Sequence, residues 1–362
     1  MTDDVQPLGV GILGCGPIAQ LAHLASVQKG RNVVLAAVCD RDVELAQRFG
    51  HQYDAEKIHT DFDDMLADEA VEAVIVATSD AFHVPAARRA LAAGKHVFCE
   101  KPLGVTVEEV EGLRADIEGT GLVLQVGHMM RFDPGIQSAH TFIQEEMGEM
   151  LALKAWYCDS THRYTMTDAL QPVTRTGADA LRPSGDQKTD LRRYNLLAHG
   201  SHLVDLARYL GGAIRSVRAR LLERHGAMCW FVDVDFDSGA LGHLDLTVPV
   251  RMDWHEGFQI YGQNGSVVAR IHNPWFYKSS EVDIFREADG SYHRVLGADG
   301  HFYRRQIEDF ARVIRNGEAG EPEAMNGASI DDGVASIRAL VAIRRSAESG
   351  KPVDLADVSG PV

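Results

Sequence analysis

The sequence predicts two domains of different class: a parallel α/β domain, then an α+β domain on a large, mostly antiparallel sheet. Three observations carry that reading. Short apolar runs alternate with helical stretches from Leu8 to about residue 130. A glycine-rich turn joins the first run to the first helix. Between Ile214 and Phe285 the runs become strand-like and partly alternating, joined by short turns such as Asp237-Ser238-Gly239 and Asn264-Gly265. A chain of 362 residues has room for two such cores, divided as 1–130 and 131–362, with the closing helices free to pack back on the first.

Leu8 to Leu13 is an apolar run long enough for a buried strand and too short for a core helix. Gly14-Cys15-Gly16-Pro17-Ile18-Ala19 follows, the G-x-G-x-x-G/A fingerprint of a Rossmann dinucleotide-binding domain. Gly14 allows the tight turn, and Gly16 lets backbone approach a pyrophosphate. Pro17 suits a first helical turn, Ile18 opens the helix's apolar face, and Ala19 permits close helix–strand packing. Val33 to Cys39 reads as the second strand and ends on Asp40, where a carboxylate takes the adenosine ribose hydroxyls. That charge repels a 2′-phosphate and favours NAD, while Arg41 beside it is suited to stacking on adenine or to accepting NADP.

The alternation continues: a helix from Asp42 to Phe49, an edge strand at Lys57-Ile58-His59, and a buried strand from Val71 to Ala77 ending at Thr78-Ser79. His83 to Ala93 reads as helix, His96 to Cys99 as strand, Val107 to Ile117 as helix and Leu122 to Val126 as strand, closing on Gly127-His128. Parallel sheets bind ligands at their C-terminal strand ends, so one rule gathers Gly14, Asp40, Thr78, Glu100 and Gly127 on a single edge.

Phe132 to Met147 reads as a connecting helix, and Leu151 to Tyr157 opens the second pattern. Arg163 to Asp190 is polar and aperiodic, and is expected to be a mobile lid. A closing helix runs from about Phe302 to Ile314 with Gly317 as its stop. Another carries Ile330, Val334, Ile337 and Val341, with Ser329 and Asp332 as a capping box and Gly350 after it. Helical spacing places Leu203, Leu206, Ala207 and Leu210 on a buried face, with His202 and Asp205 along its flank.

A net charge of −16 argues against nucleic acid and anionic membranes as partners. No apolar run approaches a membrane span, and the acidic N-terminus lacks a signal core. Five scattered cysteines without a Cys-x-x-Cys pair point to a reducing, cytoplasmic setting. His199-x-x-His202-x-x-Asp205 lacks the i, i+4 pairing and fourth ligand of a metal site, so no metal is expected.

The order of glycine fingerprint, Asp40, Thr78, Glu100-Lys101-Pro102, Gly127-His128 with Arg131-Phe132, and His202-x-x-Asp205 resembles the Gfo/Idh/MocA family (glucose–fructose oxidoreductase, inositol dehydrogenase, rhizopine catabolism protein). The resemblance implies an NAD(P)-dependent oxidoreductase moving hydride between a nicotinamide and a secondary hydroxyl of a sugar, cyclitol or glycoside. It implies an open-faced second-domain sheet that makes a homodimer or homotetramer. It also implies that Lys101, steadied by Glu100, hydrogen-bonds the substrate oxygen beside the nicotinamide, and that His202 is the acid/base. Asp205 then grips a substrate hydroxyl or orients the ring, and Thr78, Ser79 and His83 form the nicotinamide-side loop. Arg131, Tyr157, Arg163 and Tyr164 are expected on the substrate side. Many members carry an aspartate four residues before this histidine; here Ala198 stands there, which leaves two readings open: His199 beside it replaces the acid, or the catalytic set is Lys101 and His202 alone. Two other readings stay open: a hydrolase or lyase of glycosides using NAD only transiently, and a non-catalytic NAD sensor, which needs neither Lys101 nor His202.

Overall fold

A computed structural model describes residues 6–177 and 189–362, and of Tyr164 the backbone alone. The fold is a parallel α/β domain followed by a domain on a mostly antiparallel sheet. Two compact units emerge. One gathers the described residues of Met1–Met129, Pro172–Asp186 and Tyr303–Val334; the other gathers those of Met130–Gln171, Gln187–Phe302 and Ala335–Val362.

In the first unit six strands pair in parallel in the order β3-β2-β1-β4-β5-β6. They are β1 (Leu8–Leu13), β2 (Val33–Cys39), β3 (Lys57–His59), β4 (Ala73–Val76), β5 (His96–Cys99) and β6 (Leu124–Val126). Their apolar runs are buried because helices cover the sheet. The strand order turns back between β1 and β4, and such a reversal opens a crevice beyond the carboxyl ends. The fingerprint leads into a π-type turn, Ala19–His23, and then α1 (Leu24–Lys29). α2 (Val43–Gln52) is capped by Asp42, whose carboxylate accepts from the Leu45 N–H. After α3 (Phe62–Leu66) and α4 (His83–Ala92), α5 (Val107–Ile117) starts with a full capping box, Thr106 and Glu109. Phe98 of β5 and Phe310 of α10 (Phe302–Glu318), both fully buried, meet edge to face at 5.9 Å. Burying each contributes roughly 2–3 kcal/mol.

The second unit opens with α6 (Pro134–Glu145) and holds a nine-stranded sheet. Its strands are β7 (Met150–Ser160), β8 (Ile214–Arg224), β9 (Ala227–Phe236), β10 (Leu241–Val250), β11 (His255–Gly262), β12 (Gly265–Ile271), β13 (Glu281–Arg286), β14 (Ser291–Arg294) and β15 (Val353–Asp354). The order is β14-β13-β12-β11-β7-β10-β9-β8-β15. The strands from Ile214 to Phe285, read as joined by short turns, do not all pair with their neighbours in sequence: β7 slots between β10 and β11 and pairs with β10 in parallel. Local turn chemistry reports which strands follow one another, and nothing in it reveals that an earlier strand fills the gap.

Two smaller corrections concern helices. Arg163 to Leu170, read as lid, forms α7, where Thr167 Oγ1 donates back to the Arg163 carbonyl at 2.9 Å. Residues 178–188 of that expected lid lie outside the described residues. α10 passes through Gly317 and ends at Glu318; Gly320, at φ +78°, takes the left-handed stop. α8 (Leu191–Asn195), a π-type turn over Leu196–Gly200 and α9 (Ser201–Gly211) form one helical run. α11 (Ile330–Ser349) begins at the expected cap, with the Asp332 N–H donating to Ser329 Oγ and the Ser329 N–H to Asp332 Oδ2.

Candidate active site

At the carboxyl edge of β1, Gly14 adopts φ +93°, and a Cβ there would sit 2.9 Å from the Ala77 carbonyl oxygen. A Cβ on Gly16 would meet nothing within 4 Å, so that position faces open space. The space is a cavity of about 420 Å³ whose wall includes Gly14, Gly16, Pro17, Ile18, Asp40 and Arg41. Thr78 and Ser79 line it from β4's end, and the Thr78 hydroxyl is buried with no partner among the described residues. Asp40 Oδ2 accepts from the Cys15 N–H at 2.8 Å and Oδ1 from the Asp42 N–H at 2.9 Å. The acid read as a ribose ligand thus also shapes the glycine turn. Burial pushes the Cys15 and Cys39 thiols well up, with Asp40's charge adding, so neither is a nucleophile.

Glu100, at the end of β5, is buried and takes a hydrogen bond from His23 Nε2 at 2.8 Å. Its other oxygen accepts from the Lys101 N–H at 3.0 Å. Burial alone would raise this carboxyl. The His23 hydrogen bond, then the charges of His23, Lys101 and His83, bring it below the usual carboxylate range. Lys101 is therefore borne on a turn held by the buried His23–Glu100 hydrogen bond, and its bond to Pro102 is cis. His83, expected at the cofactor, is buried. Its Nδ1 lies 2.7 Å from the Pro102 carbonyl and its Nε2 3.1 Å from that of Thr78. It ties two loops together and does not line the cavity.

In the second unit, β7 and the helical run through α9 bring several expected substrate-side residues together. The His202 ring lies parallel to that of Tyr157, centroids 5.8 Å apart, and Trp254 meets Tyr157 edge-on at 5.3 Å. The Tyr157 hydroxyl and His199 Nδ1 share a hydrogen bond of 3.3 Å. His199 Nε2 lies 3.9 Å from Asp159 Oδ2, which accepts from Arg163 Nη1 at 2.7 Å. Burial raises the Asp159 carboxyl against the opposing charge of Arg163, and its Oδ1 is buried without a partner among the described residues. An acid thus reaches His199 from a strand, where the sequence offered only Ala198 on the helix. Asp159 went unread because an acid at the end of an apolar run resembles an ordinary strand terminus. Trp254 is part of this aromatic group. Arg131 and Asp205, both expected at substrate, form a buried pair with contacts of 2.7, 3.0 and 3.2 Å. Their charges are spent largely on each other. The Tyr164 side chain lies outside the described residues. Among the described residues no three His, Cys, Asp or Glu side chains are grouped to hold a metal, and no helix is long and apolar enough to cross a membrane.

Residues 8–128 match the family described as "Oxidoreductase family, NAD-binding Rossmann fold" (GFO_IDH_MocA), and residues 174–268 match the GFO/IDH/MocA C-terminal domain. The chain is 25% identical to a myo-inositol 2-dehydrogenase of Thermotoga maritima, over 97% of this chain and 99% of that protein. It is 24% identical to a D-xylose 1-dehydrogenase (NADP(+)) of Haloferax volcanii, over 95% and 99%. Among solved structures, levoglucosan dehydrogenase in complex with NADH shares the fold with a TM-score of 0.78, at 22% identity, over 98% of this chain and 100% of that one.

Proposed function

The chain belongs to the Gfo/Idh/MocA family of NAD-binding oxidoreductases, and from that premise we propose that it oxidises a secondary hydroxyl of a sugar, cyclitol or glycoside. The observation that carries the proposal is the Glu100–Lys101 turn. A carboxylate buried against His23 fixes a lysine at the strand edge that also bears the nucleotide cavity. Gly14, Gly16, Asp40, Arg41 and Thr78 would hold the cofactor; the open space beyond Gly16 and the unpartnered Thr78 hydroxyl fit it. When bound, NAD supplies the hydride acceptor. Lys101 stabilises negative charge developing on the substrate oxygen, and His202 takes the hydroxyl proton. Tyr157 and His199 supply hydrogen-bonding groups on the substrate side, and the Arg131–Asp205 pair stiffens it. NAD is the preferred cofactor because Asp40 faces the ribose position, with NADP admitted through Arg41.

The setting we propose is the cytoplasm, since all five cysteines are free. The assembly we propose is a homodimer or homotetramer through the second-domain sheet, whose outward side exposes Phe231, Leu241, Tyr261 and Val268.

A screen of inositols, aldoses and glycosides with NAD and with NADP, followed by reduced-nicotinamide absorbance, tests the activity. Turnover with at least one polyol and NAD is expected. Cofactor that stays bound and never accumulates in reduced form, while a glycoside is cleaved, would contradict net oxidation.

A further inference from the structure

One wall of the nucleotide cavity comes from far downstream. Arg175, Thr176 and Gly177 line the same space as Gly14, Gly16 and Asp40. Arg175 is held there by Gln20, a nearly buried side chain just after the glycine turn. Gln20 Nε2 donates to the Arg175 carbonyl at 2.8 Å and to the Cys15 carbonyl at 2.7 Å, and its Oε1 accepts from the Arg175 N–H at 2.7 Å. One amide therefore pairs in both directions with the Arg175 backbone, as a neighbouring strand would, while gripping the turn that cradles phosphate. At Gly177 the approach is so close that a Cβ would collide with the Asp42 carboxylate and press on Leu45. The Arg175 guanidinium makes no ion pair among the described residues, in a chain of net charge −16 rich in carboxylate partners.

We propose that residues 172–177 are a cofactor strap and that Arg175 binds the pyrophosphate of NAD. Backbone N–H groups at the glycine turn offer hydrogen bonds to that diphosphate but no full charge, and an arginine fastened to the same turn supplies one. The pyrophosphate is favoured over a ribose 2′-phosphate for two reasons. Gln20 anchors Arg175 to Cys15, within the phosphate turn, and Gly177 crowds Asp42 on the ribose side. The inference rests on NAD binding, not on the identity of the substrate.

Calorimetric titration of the full chain with NAD, NADP, ADP and adenosine tests it without turnover, so a failed substrate assignment leaves the result readable. Arg175→Ala should weaken NAD and ADP by about tenfold, leave adenosine unchanged, and be largely rescued by Arg175→Lys. Gln20→Ala should weaken NAD to a similar degree. Should Gln20→Ala also lower the melting temperature, Gly177→Val, which pushes the strap from Asp42, is expected to give the same loss of NAD affinity. Unchanged NAD and ADP affinity in Arg175→Ala would overturn the proposal. So would an equal loss for adenosine, or a loss confined to NADP.

Discussion

Glu256 shows how one side chain sets a pH dependence. It is fully buried on β11, accepts from Trp254 Nε1 at 3.2 Å, and its other oxygen has no partner among the described residues. Burial drives its carboxyl well above the ordinary value; the Trp254 bond opposes this, and the charges of Asp159 and Asp133 add to it. The folded state thus holds a proton that the unfolded chain releases near pH 4.3. Its contribution to stability is full below that pH and declines as pH rises toward the folded-state value. Glu256→Gln, uncharged at every pH, should leave the melting temperature nearly unchanged at pH 4 and raise it at pH 8. An equal shift at both would show that Glu256 carries no such proton. The same scale marks a limit of the sequence. Glu100-Lys101-Pro102 was legible because its chemistry is contiguous. His23 and Asp159 were not, because each meets its partner across 77 and 40 residues of chain, and only packing creates those meetings.

Among elements, the β1–turn–α1 segment was the most legible, since strand, glycines and helix are each specified locally and agree. Its two glycines separate folding from binding. Gly14 needs its left-handed φ and the closeness of Ala77, so a side chain there strains the turn itself. Gly16 faces empty space, so Gly16→Val should change stability by less than about 0.5 kcal/mol while lowering NAD affinity at least tenfold. Chemical denaturation and NAD titration on the same preparation check both halves. Retained affinity would mean that the cofactor does not approach this backbone. β7 was the least legible placement. Its eleven residues read clearly as strand, yet its neighbours β10 and β11 lie some 80 to 110 residues downstream, and parallel pairing with β10 leaves no turn signature.

For the molecule as a whole, composition carries what a surface sum can carry, a net charge of −16. It did not reveal that the nine-stranded sheet leaves Phe231, Leu241 and Val268 exposed, because alternation along a strand does not say which face a partner covers. If that face joins protomers, Phe231→Lys with Leu241→Asp should lower the sedimenting mass toward a monomer. A monomeric wild type, or an unchanged mass in the double variant, would contradict the assembly. Beneath all of this lies the assignment of Lys101 and His202 to hydride-transfer chemistry. Single-turnover reduction of NAD by the best substrate, in the wild type and in Lys101→Ala and His202→Ala, tests it most directly when paired with NAD titration of each. Each variant should lose at least about 10²-fold in rate while binding NAD within about threefold of the wild type. Rates that survive either substitution, or rate and NAD affinity that fall together, would contradict it.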